Sequence, residues 1–587
     1  MINNLEKFKA KETKLTRIWN LTSSNNRDLK FLGLTEYSIF GKKINLEENI
    51  NWHQDNFSNF TYPIKRFDKI NPVQWFDKGI ELVYPWEQSR FYFGVNLAQK
   101  YLITRNEFYY NIIVKQIEDW IDKNPFLQGV NWLSTMDVAI RAVNWIVALN
   151  LINNFDKNKY SKISKSLIEH AEYINSFPLI EKNGLTTNHT TAAYTGLLFI
   201  SLTFLKNTVD AEKWIENSIN GLEKCIETQI YDDGVDFEGS IPYHRLVLEL
   251  FSYSTIVAHS NGIKFSDQYY CKLFNMFEFV SAYLNINGFA PQIGDNDSGR
   301  LLIFNSENND PYENEDDHAY LLNLGEHIFD HQFSSVSNKR DKIIYNYLPK
   351  IEKINLFEKK IVPRKIGSSF SFEKGGFYFL KNKHFDLCVS LIPIGQNGKG
   401  GHNHLDVGSF TLSIDGMQII VDPGSFCYSQ DKIERNKFRS YYYHNTLYNE
   451  LDEKLDLSEN GFWNLKKYYK YEVINFENNI IEFKINFIND INPRFRKFEL
   501  SDNILKINDT YNGKFFSRIN LASHIKNIEI LKNSSIYLDT NNISFSISNS
   551  NKIKLEEYQY SPHYGKKEKA KNLLIEAKNN LVTEIKL

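Results

Sequence analysis

The sequence contains few cysteines and carries almost no net charge. Its 587 residues include four scattered cysteines without a CxxC pair, namely Cys225, Cys271, Cys388 and Cys427. This usage argues against a disulfide framework and favours buried free thiols. Lysine and arginine number 69 against 71 acidic residues, a formal charge of -2. The composition therefore gives no reason to expect nucleic acid as a partner.

Long hydrophobic runs are missing as well. No stretch of about 18 apolar residues predicts a membrane span. The N-terminal MINNLEKFKAKETKLTRIW lacks the apolar core of a standard signal peptide. These two absences predict a cytoplasmic protein. Aromatic residues are plentiful at 15% of the chain, with 43 Phe and 34 Tyr, and such side chains fill large cores and line sugar-binding clefts.

The hydrophobic pattern is helical from about residue 70 to about residue 345. In MDVAIRAVNWIVALNLI, residues 136–152, apolar residues recur at three- and four-residue spacing. Similar segments follow near 160–176, 189–206, 210–229, 242–260 and 267–285. Because no strand pattern separates them, they predict antiparallel helical hairpins of the kind that close into an α/α toroid.

The pattern changes after about residue 365. Short stretches such as SFTLSIDGMQIIVDPG alternate in the manner of β-strands, and Asp415-Gly416 is typical of a two-residue hairpin turn. We predict an incomplete α/α toroid followed by an antiparallel β-sandwich. The predicted boundaries are a peripheral lead-in over 1–60, the toroid over 61–350, a linker over 351–370 and the sandwich over 371–587.

Two stretches mix tryptophan, asparagine and arginine in a way that suits sugar binding. Trp86 and Arg90 lie in YPWEQSR, and Trp132 and Arg141 lie in NWLSTMDVAIRAVNW. Tryptophan stacks on sugar rings, and the arginine fork binds carboxylate or sulfate. These four residues are candidate substrate contacts. The alternative is ordinary helix packing around an ion pair.

Two further stretches carry candidate proton-transfer groups. Asn188-His189 stands at the predicted start of a helix, where a simple N-cap is the alternative. Glu238, Tyr243 and His244 lie in the loop and helix mouth of DDGVDFEGSIPYHRL, with Pro242 in the first turn. A tyrosine beside a histidine and a glutamate in a glycine loop is a candidate for proton transfer. Glu238 and His244 are also candidate substrate contacts.

Histidines and an aspartate alternate in GKGGHNHLDVGSF, at His402, His404 and Asp406. His404 with Asp422 of IIVDPGSF and His444 of YYYHNTLYNE would make an N,N,O set suited to zinc. A regular hairpin at Asp415-Gly416 would leave His404 roughly 17 Å from Asp422, at about 3.4 Å per residue. A shared metal therefore requires His404 to lie on a loop that folds back, which the glycines before it permit. A plain surface turn is the alternative.

Taken in order, these motifs resemble the heparinase II/III family of polysaccharide lyases and its alginate and oligoalginate lyase relatives. The matching order is Asn-His, the Tyr-His loop, GxHxHxD, VDPG and HNT. The resemblance implies a toroid followed by a β-sandwich and cleavage of a uronic acid by β-elimination. It implies that Asn188 and His189 neutralise the carboxyl group, that Tyr243 is the acid and also the base, and that His402 serves as base for the opposite C5 configuration.

The same resemblance implies a structural zinc held by His404, Asp422 and His444, and no organic cofactor. It implies an acidic polysaccharide or oligosaccharide substrate, with a bacterial surface polysaccharide as one candidate, and a periplasmic location. Two rivals stay open: a zinc-dependent glycan hydrolase and a non-catalytic acidic-glycan-binding protein of the same fold. The sequence leaves the oligomeric state open, and a dimer is one candidate.

Overall fold

The computed structural model describes residues 36–152, 157–180, 184–204, 209–304, 312, 314–333, 347–355, 369–455, 457, 464–531, 535–538 and 543–587. The first 35 residues of the predicted lead-in lie outside the described residues. So do residues 356–368, which make up most of the predicted linker.

The first half of the described chain is helical. Its α-helices are α1 (Val83–Ser89), α2 (Tyr92–Thr104), α3 (Glu107–Lys123), α4 (Thr135–Ile152), α5 (Lys157–Ser176), α6 (Asn188–Phe204), α7 (Val209–Gln229), α8 (Ile241–Ser260), α9 (Asp267–Tyr283) and α10 (Ala319–Ile328). Every helix predicted from the sequence periodicity is present, with ends displaced by a few residues.

The helices form two layers. Helices α2, α4, α6 and α8 pack side by side as an inner layer, and α3, α5, α7 and α9 cover it from outside. The inner helices carry apolar residues all round because both their faces are covered. Within the described residues, α4 alone has the length and hydropathy of a membrane span, and all of it is buried inside the protein. This arrangement is the predicted incomplete toroid.

Two short hairpins precede the helices, formed by β1 (Glu36–Ile39) with β2 (Lys42–Asn45) and by β3 (Gln54–Asp55) with β4 (Phe60–Thr61). Trp52, between them, is fully buried, and its ring stacks near those of Phe91 and Phe93. The described part of the predicted lead-in thus contributes to the core of the helical half.

The second half consists of two antiparallel sheets. The smaller sheet has the order β5-β6-β7-β8-β9, and the larger has the order β11-β12-β13-β14-β18-β17-β16-β15 with β10 beside β14. The smaller sheet comprises β5 (Phe370–Phe372), β6 (Phe377–Lys381), β7 (Phe385–Ser390), β8 (Ser409–Ile414) and β9 (Met417–Ile420). The larger comprises β10 (Leu447–Tyr448), β11 (Tyr469–Glu477), β12 (Ile480–Phe487), β13 (Arg494–Leu500), β14 (Ile504–Asn520), β15 (Ile528–Ile530), β16 (Ser535–Leu538), β17 (Ser544–Tyr560) and β18 (Glu568–Lys586).

The smaller sheet is a middle layer that is buried on both faces. Phe410 of β8 packs against Phe498 of the larger sheet, with 5.1 Å between ring centroids. On the opposite face, Phe377 of β6 lies 4.9 Å from the ring of Phe279 in α9. Within β6, Phe377 and Phe379 enter the core of the helical half, whereas Tyr378 and Leu380 enter the core of the sandwich. The sandwich and the helical half share this sheet as their common support.

The hairpin between β8 and β9 turns at Asp415-Gly416, as predicted. Ile414 pairs with Met417, and both turn residues have positive φ angles of 49° and 77°. Two consecutive positive φ values are the requirement of a type I′ turn, which suits Asp-Gly.

Loops from the two halves meet at the place where the sheet covers the helices. Two short helices, α11 (Gly395–Gly398) and α12 (Lys432–Arg439), flank this region in the sandwich half. The backbone N–H of Gln396 donates to the carbonyl of Phe237 at 2.9 Å. Gly239 has a φ of +71°, and a Cβ there would collide with the Asn403 amide. Glycine at this position therefore permits the close approach of the two loops.

Candidate active site

Asn188 is held by a glutamate of the neighbouring loop. It is the first residue of α6, and its backbone N–H and its Nδ2 donate to the two carboxylate oxygens of Glu238 at 2.9 and 2.6 Å. A reversed amide would place two oxygens in contact, so the hydrogen bonds fix its orientation. The Oδ1 atom is buried and has no hydrogen-bond partner in the described part of the chain. One acceptor therefore remains free for a ligand.

Tyr243 is fixed at the start of α8. Ser240 caps this helix, accepting a hydrogen bond from the Tyr243 backbone N–H at 3.2 Å, and Pro242 follows in the first turn. The Tyr243 hydroxyl donates to Oδ2 of Asp297 at 2.6 Å. Burial, and then the negative charge of Asp297, raise the pKa of Tyr243 well above its usual value. The phenol is therefore protonated in the resting protein.

His402 lies against Tyr243 from the other half of the molecule. The two rings stack at a 20° angle with 3.5 Å between centroids. Nδ1 of His402 is 3.3 Å from Oδ2 of Asp295, and its Nε2 is 3.5 Å from Oε2 of Glu238. His402 lies in the loop before β8, which does not have the strand geometry that would align alternate residues on one face.

His189 follows Asn188 and is half-buried at the start of α6. Its ring has no hydrogen-bond partner among the described residues. Burial lowers the pKa of His189, and the nearby carboxylates of Asp137 and Glu238 oppose this shift. The ring is therefore neutral near pH 7, and it is available to a ligand that enters beside Asn188.

The structure thus brings together the four residues predicted to act in proton transfer and carboxyl neutralisation. Glu238 contacts both Asn188 and His402, and Tyr243 stacks on His402. The helical half supplies three of the four groups, and the sandwich half supplies His402.

The predicted metal ligands also lie together. One ligand atom from each of His404, Asp422 and His444 falls within 4.8 Å of the others, and all three residues are buried. His404 reaches this position because its loop folds back at Gly400, whose φ is +62°. The regular hairpin that would have separated His404 from Asp422 begins only at Ser409.

The donor atoms of this cluster suit a metal ion. Nδ1 of His404 and Nε2 of His444 are buried without a hydrogen-bond partner in the described ranges. The other nitrogen of each ring is engaged, by Asp295 at 3.1 Å for His404 and by Asp422 at 2.8 Å for His444. Two orphaned imidazole nitrogens beside a carboxylate suit Zn²⁺. The residues therefore fit the predicted ion.

Asp295 connects the metal cluster to the proton-transfer residues. One carboxylate oxygen contacts His404 and the other contacts His402, while Arg435 of α12 binds both oxygens at 3.1 and 2.7 Å. Burial raises the pKa of Asp295, but Arg435 and the two histidines outweigh it and hold that pKa well below its usual value. Asp295 is therefore a fixed negative charge.

Two predicted substrate contacts are core residues instead. Trp132 is 1% exposed, and Arg141 is fully buried with its guanidinium 3.9 Å from the ring centroid of Trp120. Arg141 donates to Nε2 of His170 at 3.0 Å, and burial lowers its pKa to about 9. The structure does not bring these two side chains into the site: Arg141 lies on α4, every residue of which is buried, and Trp132 is buried in the short 3-10 turn that precedes α4.

Arg90 and His244 also have internal partners. Arg90 is buried and forms ion pairs with Glu87 and with Asp137, the latter at 2.7 Å. The His244 ring accepts a hydrogen bond from the Asp236 N–H at Nδ1 and donates one from Nε2 to the Met276 carbonyl, both at 3.3 Å. Burial lowers the pKa of His244 to about 3. Both side chains are therefore occupied by partners within the helical half. For Arg90 the structure thus shows the ordinary ion pair that was the alternative to sugar binding.

Trp86 and Glu238 complete the predicted contacts. Trp86 is half-buried and donates its indole N–H to the Val130 carbonyl at 3.0 Å, in a small aromatic cluster with Tyr62 and Phe76. Glu238 is fully buried behind Asn188. It therefore reaches a substrate through Asn188 and not directly.

Several site residues were not recognised in the sequence. Asp295 and Asp297 lie in IGDNDSGR, residues 293–300, and Tyr428 stands between the two halves with the Arg435 guanidinium 4.8 Å from its ring centroid. Alternate aspartates beside glycines were a usable signal, similar to the pattern at His402 and His404. Nothing in the sequence marks Tyr428 or Arg435.

Models of protein families match both halves of the chain. Residues 6–311 match the heparinase II/III N-terminus, and residues 365–587 match the heparinase II/III-like C-terminal domain. The chain belongs to the heparinase II/III family. This membership confirms the resemblance seen in the motifs, and with it a polysaccharide lyase. No curated protein matches the sequence.

Solved structures share the fold of this heparinase II/III-family protein. A crystal structure of heparinase III superimposes with a TM-score of 0.66 at 17% identity, covering 99% of this chain and 88% of the other. A mutant of the heparan sulfate lyase HepC from Pedobacter heparinus gives 0.57 at 18%, covering 100% and 87%. A Paenibacillus xanthan lyase gives 0.50 at 11%, covering 86% and 53%. At these identities the likeness concerns the toroid and sandwich alone.

Proposed function

We propose that this protein cleaves a uronic-acid-containing acidic polysaccharide by β-elimination, with Asn188, His189, Tyr243 and His402 at the reacting sugar. The observation that carries the proposal is the convergence of these four side chains at the junction of the two halves. Membership of a lyase family supports it.

The chemical difficulty is the removal of the C5 proton. That proton is weakly acidic because the carbanion forms beside a carboxylate, so negative charge adds to negative charge. Elimination becomes feasible when the carboxyl group is neutralised, a base removes the proton and an acid protonates the leaving glycosidic oxygen.

Asn188 and His189 are suited to neutralising the carboxyl group. The free Oδ1 of Asn188 is an acceptor, and an acceptor beside a carboxyl group favours its protonated form. Glu238 holds the amide in this orientation. The neutral ring of His189 supplies an N–H donor for the second carboxyl oxygen. A neutral acid at C6 lowers the barrier to proton loss from C5.

Tyr243 and His402 are the proton-transfer pair. Since the Tyr243 phenol is protonated at rest, it can donate to the leaving oxygen at C4. His402 lies on its ring face and is the candidate base for the opposite C5 configuration. The two groups belong to different halves of the protein and their rings are in contact, so a sugar bound at the edge of this stack would contact both.

The metal proposal is a structural zinc on His404, Asp422 and His444. When bound, the ion would supply a positive charge that ties the three sandwich segments together. All three ligands are at most 2% exposed. Three protein ligands leave a fourth tetrahedral position, but the burial of all three ligands leaves a polysaccharide no access to it. This burial argues against the hydrolase alternative.

The deciding experiment is a product assay on acidic polysaccharides of the heparan, alginate and bacterial capsule types. Elimination creates a C4–C5 double bond conjugated to the carboxyl group, which absorbs ultraviolet light. We expect absorbance to rise with at least one polymer. New reducing ends without absorbance would indicate hydrolysis and overturn the proposal.

Tyr243→Phe is the matched control, because it removes one oxygen and retains the ring that stacks on His402. We expect no product and unchanged binding of the polymer that the unaltered protein cleaves. If neither protein cleaves any polymer but both bind it, the glycan-binding alternative is favoured. Cell fractionation would separately decide between the cytoplasm and the periplasm.

A further inference from the structure

The carboxylate of Asp297 has one hydrogen-bond partner among the described residues, the Tyr243 hydroxyl. Tyr243 donates to Oδ2 of Asp297 at 2.6 Å, a short distance typical of a hydrogen bond to a charged acceptor. No arginine, lysine or histidine of the described chain lies within ion-pair distance of this carboxylate. Asp297 is half-buried at the site.

Asp295, two residues earlier in the same loop, has several cationic and histidine partners. Its carboxylate is bound by Arg435 through two hydrogen bonds and contacts His402 and His404. These donors stabilise its negative charge and reduce its capacity to take a proton. Asp297 has no such donors among the described residues, and its one hydrogen-bond partner is the Tyr243 hydroxyl. The loop thus carries one carboxylate neutralised by partners and one directed at the tyrosine.

The loop holds Asp297 firmly. Asn296, between the two aspartates, donates to Glu315 at 2.9 Å and accepts from the Ser298 N–H at 3.1 Å. The carbonyl of Asp295 accepts from the Ser240 hydroxyl at 2.7 Å, and Ser240 also caps the helix of Tyr243. One serine therefore fixes both members of the Tyr243–Asp297 pair in relation to each other.

Tyr243 by itself is a poor base. To take a proton it would first have to lose its own, and the resulting phenolate would be buried beside the negative Asp297. Both effects raise the pKa of Tyr243, so the phenolate is scarce at neutral pH. A mechanism that avoids a free phenolate must move the hydroxyl proton at the same time as the C5 proton.

We propose that Asp297 receives the hydroxyl proton of Tyr243 while Tyr243 removes the C5 proton of the substrate. The C5–H bond breaks and a new O–H bond forms at the tyrosine oxygen, as the original hydroxyl proton passes to Oδ2 of Asp297. The C5–H electron pair becomes the C4–C5 double bond, and the C4–oxygen bond breaks with its electrons on the leaving oxygen.

The return step restores the enzyme. Tyr243 gives a proton to the leaving glycosidic oxygen and recovers one from Asp297, which becomes a carboxylate again. The proton lost from C5 is balanced by the proton gained at the leaving oxygen, and no other reactant is needed. Asp297 acts through Tyr243 and does not touch the sugar, so it is a positioning and proton-accepting partner.

The inference rests on the proposed lyase activity, and it concerns substrates whose proton faces Tyr243. The competing assignment gives the base role to His402 alone. In that case the hydrogen bond from Tyr243 to Asp297 only orients the acid. The two assignments differ in what happens when Asp297 can still form a hydrogen bond but can no longer accept a proton.

Asp297→Asn makes this distinction. We expect kcat to fall about 100-fold, the usual contribution of a general acid–base group, with KM within threefold of the unaltered protein. With substrate deuterated at C5, we expect a larger isotope effect on kcat than in the unaltered protein, because proton removal becomes slower. A kcat within threefold of the unaltered protein would overturn the inference.

Asp297→Ala tests the carboxylate itself. Formate is small enough to enter the space left by the side chain, and we expect it to raise kcat of this variant at least tenfold. Formate should not affect Asp297→Asn. Loss of activity in both variants without rescue, accompanied by a raised KM, would reduce Asp297 to a structural role.

The matched control is Asp119→Asn. Asp119 is a half-buried aspartate of α3 that accepts a hydrogen bond from the Trp52 indole at 2.8 Å, remote from the site. We expect unchanged kinetics. Failure of the unaltered protein to form unsaturated product would count against the lyase activity, whereas normal product formation with an active Asp297→Asn would count against this inference alone.

Discussion

The ring of Tyr243 lies on the ring of His402, with 3.5 Å between their centroids. Tyr243 begins a helix of the toroid, and His402 belongs to a loop of the sandwich. The candidate catalytic pair therefore exists only when the two halves are docked.

Glu238→Gln should weaken the hold on Asn188. The glutamine can accept one of the two hydrogen bonds that Asn188 now donates, and the other donor would face an amide N–H₂. Because misplacement of a reacting group by about 1 Å can cost about 100-fold, we expect kcat/KM to fall between 10- and 100-fold. Steady-state assays that follow the ultraviolet absorbance of the product would measure kcat/KM.

Glu223→Gln is the control for that variant. Glu223 accepts hydrogen bonds from the backbone N–H and the hydroxyl of Ser266, which caps α9, so it holds a helix start in the same way. We expect normal kinetics. Equal losses in both variants would show that the effect of Glu238 is general destabilisation.

His404→Ala should remove the metal and lower thermal stability together. A zinc ion that binds the folded cluster and not the unfolded chain would add its binding free energy to stability, and its loss would remove that contribution. We expect bound zinc to disappear and Tm to fall by about 5 °C or more. Elemental analysis and thermal unfolding of the same sample would show both.

His384→Ala provides the comparison for the metal. His384 belongs to the same sandwich and is paired with Asp415 at 2.7 Å near the hairpin turn. The His384→Ala variant should retain zinc and lose little thermal stability. Absence of zinc from the unaltered protein, purified without chelator, would contradict the ligand assignment.

His244 should make the fold less stable in mild acid. Burial lowers its pKa to about 3 from an ordinary 6.5, so between these values the unfolded state binds a proton that the folded state does not. Stability therefore falls as pH decreases through this range. The contribution of His244 to the free energy of unfolding should therefore fall by about 2 kcal/mol between pH 7 and pH 5, at about 1.4 kcal/mol per pH unit below pH 6.5.

Comparison with His244→Gln isolates this contribution. Glutamine does not titrate and has an acceptor and a donor for the two existing hydrogen bonds. Urea unfolding at pH 7 and pH 5 should show a smaller loss of stability in the variant than in the unaltered protein. Identical losses would mean that His244 is not buried as a neutral ring.

Arg141→Met should leave substrate binding unchanged. The residue is covered by Trp120, Trp132 and His170, so we expect KM within threefold of normal. Unfolding free energy should fall by about 1–3 kcal/mol, because His170 and the Asn131 carbonyl lose a donor. A tenfold rise in KM with a normal free energy of unfolding would instead indicate that Arg141 contacts the substrate.

The sequence predicted the fold through periodicity. The three- and four-residue spacing in 136–152 and the alternation around Asp415-Gly416 are local signals, and the structure confirms both. It also placed Asn188 and Tyr243 at helix starts, because asparagine is a common N-cap residue and Pro242 is typical of a first helical turn.

The sequence could not separate a core arginine from a binding arginine. Arg141 and Arg90 have the residue types of a sugar site, but their burial depends on which helices form the inner layer. The distance from His404 to Asp422 depended on the backbone at Gly400. Asp295 joins both sets of site residues from a loop more than 100 residues away, and no local pattern encodes that contact.

The middle sheet has a consequence for how this protein is made. When α10 has been synthesised, Asn188, His189 and Tyr243 are already present. At that point β6, which packs against Phe279, and His402, which stacks on Tyr243, have not yet been made. The nascent toroid exposes an apolar surface until the sandwich arrives to cover it. The candidate catalytic residues therefore come together only late in synthesis, and a chain cut between its halves would separate His402 from Asn188, His189 and Tyr243.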